Sequence, residues 1–128
     1  MTVDLTYLVW TVALAMVQLL VVIVGAMATI PPGILAGNRE TPVEAKGWLG
    51  RAQRAHRNML ESVALFGILV LVAHVAGKAN AMTAMGAAIY FWSRLAYTVI
   101  YVAGITWVRS LVFGVSMVGL VIILLQLL

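Results

Sequence analysis

Within the segment RAQRAHRNMLE (Arg51 to Glu61), Arg54, Arg57, Asn58 and Glu61 stand at i, i+3, i+4 and i+7. That spacing puts them on one face of an α-helix. A second stripe, Arg94, Tyr97 and Tyr101, has the i, i+3, i+7 spacing of a single face as well. Guanidinium forks suit carboxylates and other planar anions, and neighbouring amide and phenol groups add directional hydrogen bonds. Glu61 alone cannot neutralise Arg54, Arg57 and Arg94, so the two stripes carry spare positive charge. An anionic ligand is the simplest partner for that charge, and lipid headgroups compete for the same role. The chain has no cysteine, so thiol chemistry would need a sulfur brought in by a ligand. No metal site is expected, because His74 has no Cys, His or carboxylate at ligand spacing. His56 lies about 160° around the helix from Arg54 and is expected at an interface or a subunit contact.

The elements that position these residues follow from composition. The 128-residue chain is 64% hydrophobic and only 9% charged, too little charge to cover the surface of a soluble domain. A spanning helix needs roughly 20 apolar residues, and segments of that kind fill almost the whole length. The expectation is an all-α integral membrane protein, a bundle of four transmembrane helices forming a single domain over residues 1–128. Helix 1 should run from about Leu5 to Ile30 and stop at Pro31-Pro32; as the apolar run is longer than a signal peptide, it is read as retained. A polar loop, Gly33 to Gly47, follows. Helix 2 is expected from Trp48 to about Ala76, a turn at Gly77-Lys78, helix 3 from Ala81 to Ala103, and helix 4 from Arg109 to Leu128.

Helix 2 cannot span on its apolar part alone. After Glu61 and Ser62 that part runs only from Val63 to Ala73, far short of a hydrocarbon core about 30 Å thick. The charged first half must therefore enter the membrane, and charge at that depth is costly unless it faces a bundle and finds partners. If helices 2 and 3 form an antiparallel hairpin folded at Gly77-Lys78, Glu61 falls level with Arg94, Asn58 with Tyr97 and Arg54 with Tyr101. These polar rungs describe a pocket facing inward. For Glu61 and Arg94 a structural ion pair that fixes helix register is the competing role. Thr11 and Gln18 of helix 1 are expected to face the bundle as packing contacts. Arg39 is expected either as a solvated loop residue or as a cap over the pocket.

The net charge of +4 is read as a topology signal and not as a nucleic-acid footprint. Arg39, Lys46, Arg51, Arg54, Arg57 and Arg109 lie in or near the first and third loops, against Lys78 on the opposite side. The positive-inside rule then places both termini outside the cytoplasm, in the inner membrane if the source is bacterial. Trp48 and Trp107 would sit at the cytoplasmic interface, and Tyr7 and Trp10 at the other.

The segment Arg51–Glu61 resembles the MAPEG family, the membrane-associated proteins in eicosanoid and glutathione metabolism. The family's helix-2 pattern Arg-x-x-x-Asn-x-x-Glu is met by Arg54, Asn58 and Glu61. Its helix-3 pattern, an arginine followed by aromatic positions, is met by Arg94, Tyr97 and Tyr101. Arg109, with Ser110 beside it, meets the arginine that opens helix 4. The resemblance covers essentially the whole chain and is closest to small bacterial members. It implies a homotrimer that binds glutathione between neighbouring subunits and passes its thiol to lipophilic substrates or lipid hydroperoxides. Arg54, Asn58, Glu61, Arg94, Tyr97 and Tyr101 would then hold the tripeptide, with Arg57 adding positive charge on the same face. Arg109 would stabilise the thiolate, a catalytic role that agrees with the effect of a nearby cation on a thiol. Phe113 stands where the prostaglandin-forming branch carries a hydroxyl, which argues against that isomerase activity.

Two other functions are compatible with a small four-helix membrane protein. One is a non-enzymatic lipid-binding or scaffold protein of the same fold. The other is a small multidrug transporter, which should carry a membrane-embedded acid in helix 1, where this chain has only the terminal Asp4.

Overall fold

The computed structural model describes residues 1–29 and 47–128. The expectations for Pro31-Pro32, Arg39, Lys46 and the first loop lie outside them. Four helices follow one another: α1 (Val3–Thr29), α2 (Gly47–Val75), α3 (Ala81–Ala103) and α4 (Trp107–Leu127). Helix 3 has the bounds expected of it, and the other three agree with expectation to within two residues at each described end.

Local chemistry fixes the ends of α3. The Asn80 side chain accepts from the Met82 and Thr83 backbone N–H groups, while the Thr83 hydroxyl accepts from the Asn80 backbone N–H. This reciprocal box satisfies donors that a helix start leaves orphaned. At the other end Gly104 adopts φ +85°, the left-handed conformation that costs a glycine least. Gly77, at φ +69°, makes the sharp turn between α2 and α3.

Helices α2 and α3 form the middle of the bundle. Helix α1 packs on both of them, as does α4, and among the described residues α1 and α4 do not touch. The α3–α4 contact is the most extensive, because glycines let the backbones close. A Cβ added at Gly86 would sit 2.7 Å from the Gly119 carbonyl oxygen, and one at Gly119 equally close to that of Gly86. Small residues at a helix crossing serve this purpose in membranes. Beside them Phe66, Val70, Ala87, Tyr90, Leu120 and Ile123 make the buried core. There the Phe66 and Tyr90 rings stack at 4.2 Å and the Tyr90 hydroxyl lies 2.7 Å from Ser62 Oγ.

Polar ties hold α1 in place. At one end of the bundle the buried Asp4 carboxylate accepts from the Thr2 hydroxyl (2.8 Å), His74 Nε2 (2.9 Å) and the Thr83 hydroxyl (3.3 Å), joining α1 to α2 and α3. Halfway along, the buried Gln18 amide donates to Thr98 Oγ1, which in turn donates to the Arg94 carbonyl. The Gln18 carbonyl lies 3.2 Å from His56 Nδ1. Gln18 and Thr11 thus face the bundle, as expected. Within the chain, His56 lies half-buried with its Nδ1 on Gln18 of α1. Near the Asp4 end Trp10 packs edge-on and Tyr7 tilted against Phe91, and Trp48 and Trp107 are exposed near the other.

Helices α1, α2 and α4 are long and apolar enough to cross a membrane. Helix α3 is long enough at 23 residues, but Arg94 and its tyrosines lower its apolar character. It is flanked by the other helices and keeps Tyr90, Arg94 and Tyr97 buried, which is how polar groups are tolerated at depth.

Candidate functional site

Helix α2 brings Asn58, α3 brings Arg94, Tyr97 and Tyr101, and α4 brings Arg109, Ser110 and Phe113 to one end of the α2–α3–α4 groove. A cleft of about 230 Å³ opens there, lined by Asn58, Tyr97, Arg109, Ser110 and Phe113. The Arg94 guanidinium is 0% exposed. It lies over the Tyr97 ring, 4.4 Å from its centroid, and 6.0 Å from that of Phe113. Among the described residues none of its three nitrogens has a hydrogen-bond partner, nor does the buried Asn58 Oδ1. A buried charge without partners is among the most expensive features a fold can carry. Aromatic faces offset part of that cost through cation–π attraction, but they accept no hydrogen bond in the plane of the guanidinium.

The expected rungs come out unequally. Arg54 Nε donates to the Tyr101 hydroxyl at 3.3 Å, so this rung forms. Asn58 and Tyr97 share the cleft wall. Glu61 and Arg94 do not pair: among the described residues the one ion pair within 4.0 Å is His74–Asp4. Glu61 is exposed on the outer face of α2, while Arg94 is turned inward onto Tyr97 and toward Phe113. The expectation of an inward charged line is therefore corrected in part. Arg94 and Tyr97 are buried, Asn58 and Tyr101 half-buried, whereas Arg54, Arg57 and Glu61 lie on the outside of the single chain.

Arg109 is half-buried, with its guanidinium over the Tyr101 ring at 4.7 Å. Tyr101 thus sits between two arginines, bonded to Arg54 at its hydroxyl and stacked by Arg109 on its ring. Tyr97 and Tyr101 lie 5.5 Å apart. The result is a row of cations and aromatic rings with one carbonyl acceptor, an arrangement that can take an anion carrying its own N–H donors. Phe113 contributes ring contact to both Tyr97 and Arg94, a role that only the i, i+4 spacing from Arg109 signals in the sequence. A larger cavity of about 430 Å³ lies between α1, α2 and α3. Its walls are nearly all apolar, so the small cleft with its orphaned polar atoms is the candidate site.

A sequence model of the MAPEG family matches residues 7–128. The chain belongs to the MAPEG family, and it is an integral membrane protein of helical-bundle fold. Comparison with curated proteins and with solved structures gave no significant match to either.

Proposed function

We propose that the protein is a membrane-bound glutathione-dependent transferase or peroxidase, acting on lipophilic electrophiles or lipid hydroperoxides that reach it from the bilayer. The observation that carries this reading is the buried Arg94 guanidinium, whose three nitrogens have no hydrogen-bond partner among the described residues, together with the Asn58 carbonyl oxygen, which has none either. Glutathione fits both demands, since it brings carboxylates for the guanidinium and amide N–H groups for the carbonyl. Arg94 forks a carboxylate, Asn58 Oδ1 accepts from a ligand N–H, and the Tyr97 and Tyr101 hydroxyls bracket the chain of the tripeptide. Bound glutathione supplies the nucleophilic sulfur. Arg109, at the mouth of the cleft, stabilises the thiolate there as a point of fixed positive charge.

Arg54, Arg57 and Glu61 point out of the single chain at a depth where lipid is an unfavourable neighbour. A second copy covering this face would bury them and close the cleft, in keeping with assembly as a homotrimer with the ligand between neighbours. The excess of arginine at this end supports a cytoplasmic location for it, with both termini on the other side.

Conjugation of glutathione to 1-chloro-2,4-dinitrobenzene and reduction of a fatty-acid hydroperoxide, both assayed in detergent micelles, test the proposal. At least one rate should exceed the uncatalysed reaction and fall at least about tenfold in Arg109→Ala, the scale of losing one electrostatic stabiliser. Absence of both activities in folded protein would contradict it.

A further inference from the structure

The larger cavity lies on the other side of α3 from the cleft. It is walled by Leu14, Val17 and Val21 of α1, Ala52 of α2, and Val99 and Val102 of α3. Gln18 and Thr98 also reach it, but their polar atoms are spent on each other, on His56 and on the Arg94 carbonyl. The trough therefore offers apolar contact with no unmet hydrogen bond. From Leu14 to Val21 it runs about 10 Å along α1, a length suited to part of one extended hydrocarbon chain. Its α1 wall continues directly into exposed apolar residues, Val17, Leu20 and Val24, so it opens onto the lipid-facing surface. The polar stripe of Arg54, Arg57 and Glu61 faces elsewhere.

A cation stands at one end of this trough. Arg51 immediately precedes the wall residue Ala52, and its Nε donates to the carbonyl of the wall residue Val102 at 2.9 Å. A Cβ added at Gly104 would lie 3.5 Å from the same Nε, so the guanidinium packs where α3 ends. Among the described residues no carboxylate lies within 4.0 Å of it. This is the end of the bundle that carries the exposed Trp48 and Trp107, side chains that favour the membrane–water interface. Charge and depth thus match an amphiphile whose headgroup lies at the interface and whose chain descends along α1.

We propose that the α1–α2–α3 trough is a binding site for an anionic phospholipid, with one acyl chain lying along Leu14–Val21 and the headgroup phosphate on Arg51. The site is independent of the glutathione cleft. Arg51 acts as a selectivity residue for headgroup charge, while the trough walls hold the chain.

The full chain, purified in a neutral detergent, is titrated with phosphatidylglycerol and with phosphatidylcholine of matched chains. Retained lipid is counted by native mass spectrometry, and melting temperature is followed in parallel. The wild type should prefer phosphatidylglycerol by about fivefold, the ratio one basic side chain supplies near an anionic surface. Arg51→Gln should bring the two lipids to equal affinity, whereas Lys78→Gln, at the opposite end, should keep the preference. Val99→Trp, which fills the trough from an exposed position, should lose retention of both lipids while remaining folded. Equal affinity in the wild type, a preference that survives Arg51→Gln, or unchanged retention in Val99→Trp would each overturn the site. So would a wild type that retains neither lipid because a second copy covers the groove.

Discussion

The two ends of the bundle handle buried polar groups in opposite ways. At the Asp4 end the carboxylate is surrounded by Thr2, His74 and Thr83, each within hydrogen-bond reach. At the Arg54 end the Arg94 guanidinium is more deeply buried still, and among the described residues it has ring faces around it but no acceptor. A satisfied network holds helices together, and removing one member exposes the others to the full desolvation cost. An unsatisfied one has given up stability for something outside the chain. The difference separates a structural joint from a binding site without reference to any relative.

The sharpest way to break the comparison is to damage the satisfied end. Asp4→Ala should cost about 2 kcal/mol, because it removes the buried acceptor that Thr2, His74 and Thr83 share; denaturant unfolding in mixed micelles reads this directly. Glutathione binding per folded molecule should be unchanged, since the cleft lies at the opposite end. Gln18→Leu removes the midway tie to Thr98 and His56 and should cost about 1–2 kcal/mol in the same assay. If it cost nothing, α1 would be held by apolar packing alone. Smallest in stability is Arg109→Gln, a half-buried residue at the cleft mouth, which should shift unfolding by no more than about 0.5 kcal/mol. Its effect should appear instead in the pH dependence of conjugation: without the guanidinium the thiolate forms at higher pH, so the rate profile should move toward alkaline values.

Much of this architecture was legible in the sequence. Helix bounds followed from apolar run length and from the turn at Gly77-Lys78, and the α2–α3 register held where Arg54 meets Tyr101. The error at Glu61–Arg94 has a physical cause. Helical spacing fixes which residues share a face and a depth, but not whether that face turns into its own bundle or toward a neighbouring molecule. Arg54, Arg57 and Glu61 are exposed in the single chain, although Arg54 reaches Tyr101 of α3, and nothing in a single helix's periodicity tells an exposed face from a buried one. The Asp4–His74 joint was missed for a different reason: its members are far apart along the chain and meet only through the antiparallel packing of α1 on α2. Arg94 itself was found as a charge needing a partner. That it lies between Tyr97 and Phe113 depends on the close α3–α4 approach that Gly86 and Gly119 permit.

Arg94→Met removes the orphaned charge and keeps an unbranched apolar side chain as far as the position of Nε. Melting temperature is measured for wild type and variant in detergent, without glutathione and at millimolar glutathione. The variant should melt no lower than wild type when glutathione is absent, since it no longer buries an unpaired cation. Glutathione should raise the wild-type melting temperature and leave that of the variant unmoved. A variant that melts well below wild type yet keeps the full glutathione shift would contradict the account, because Arg94 would then be a structural residue with no part in the site.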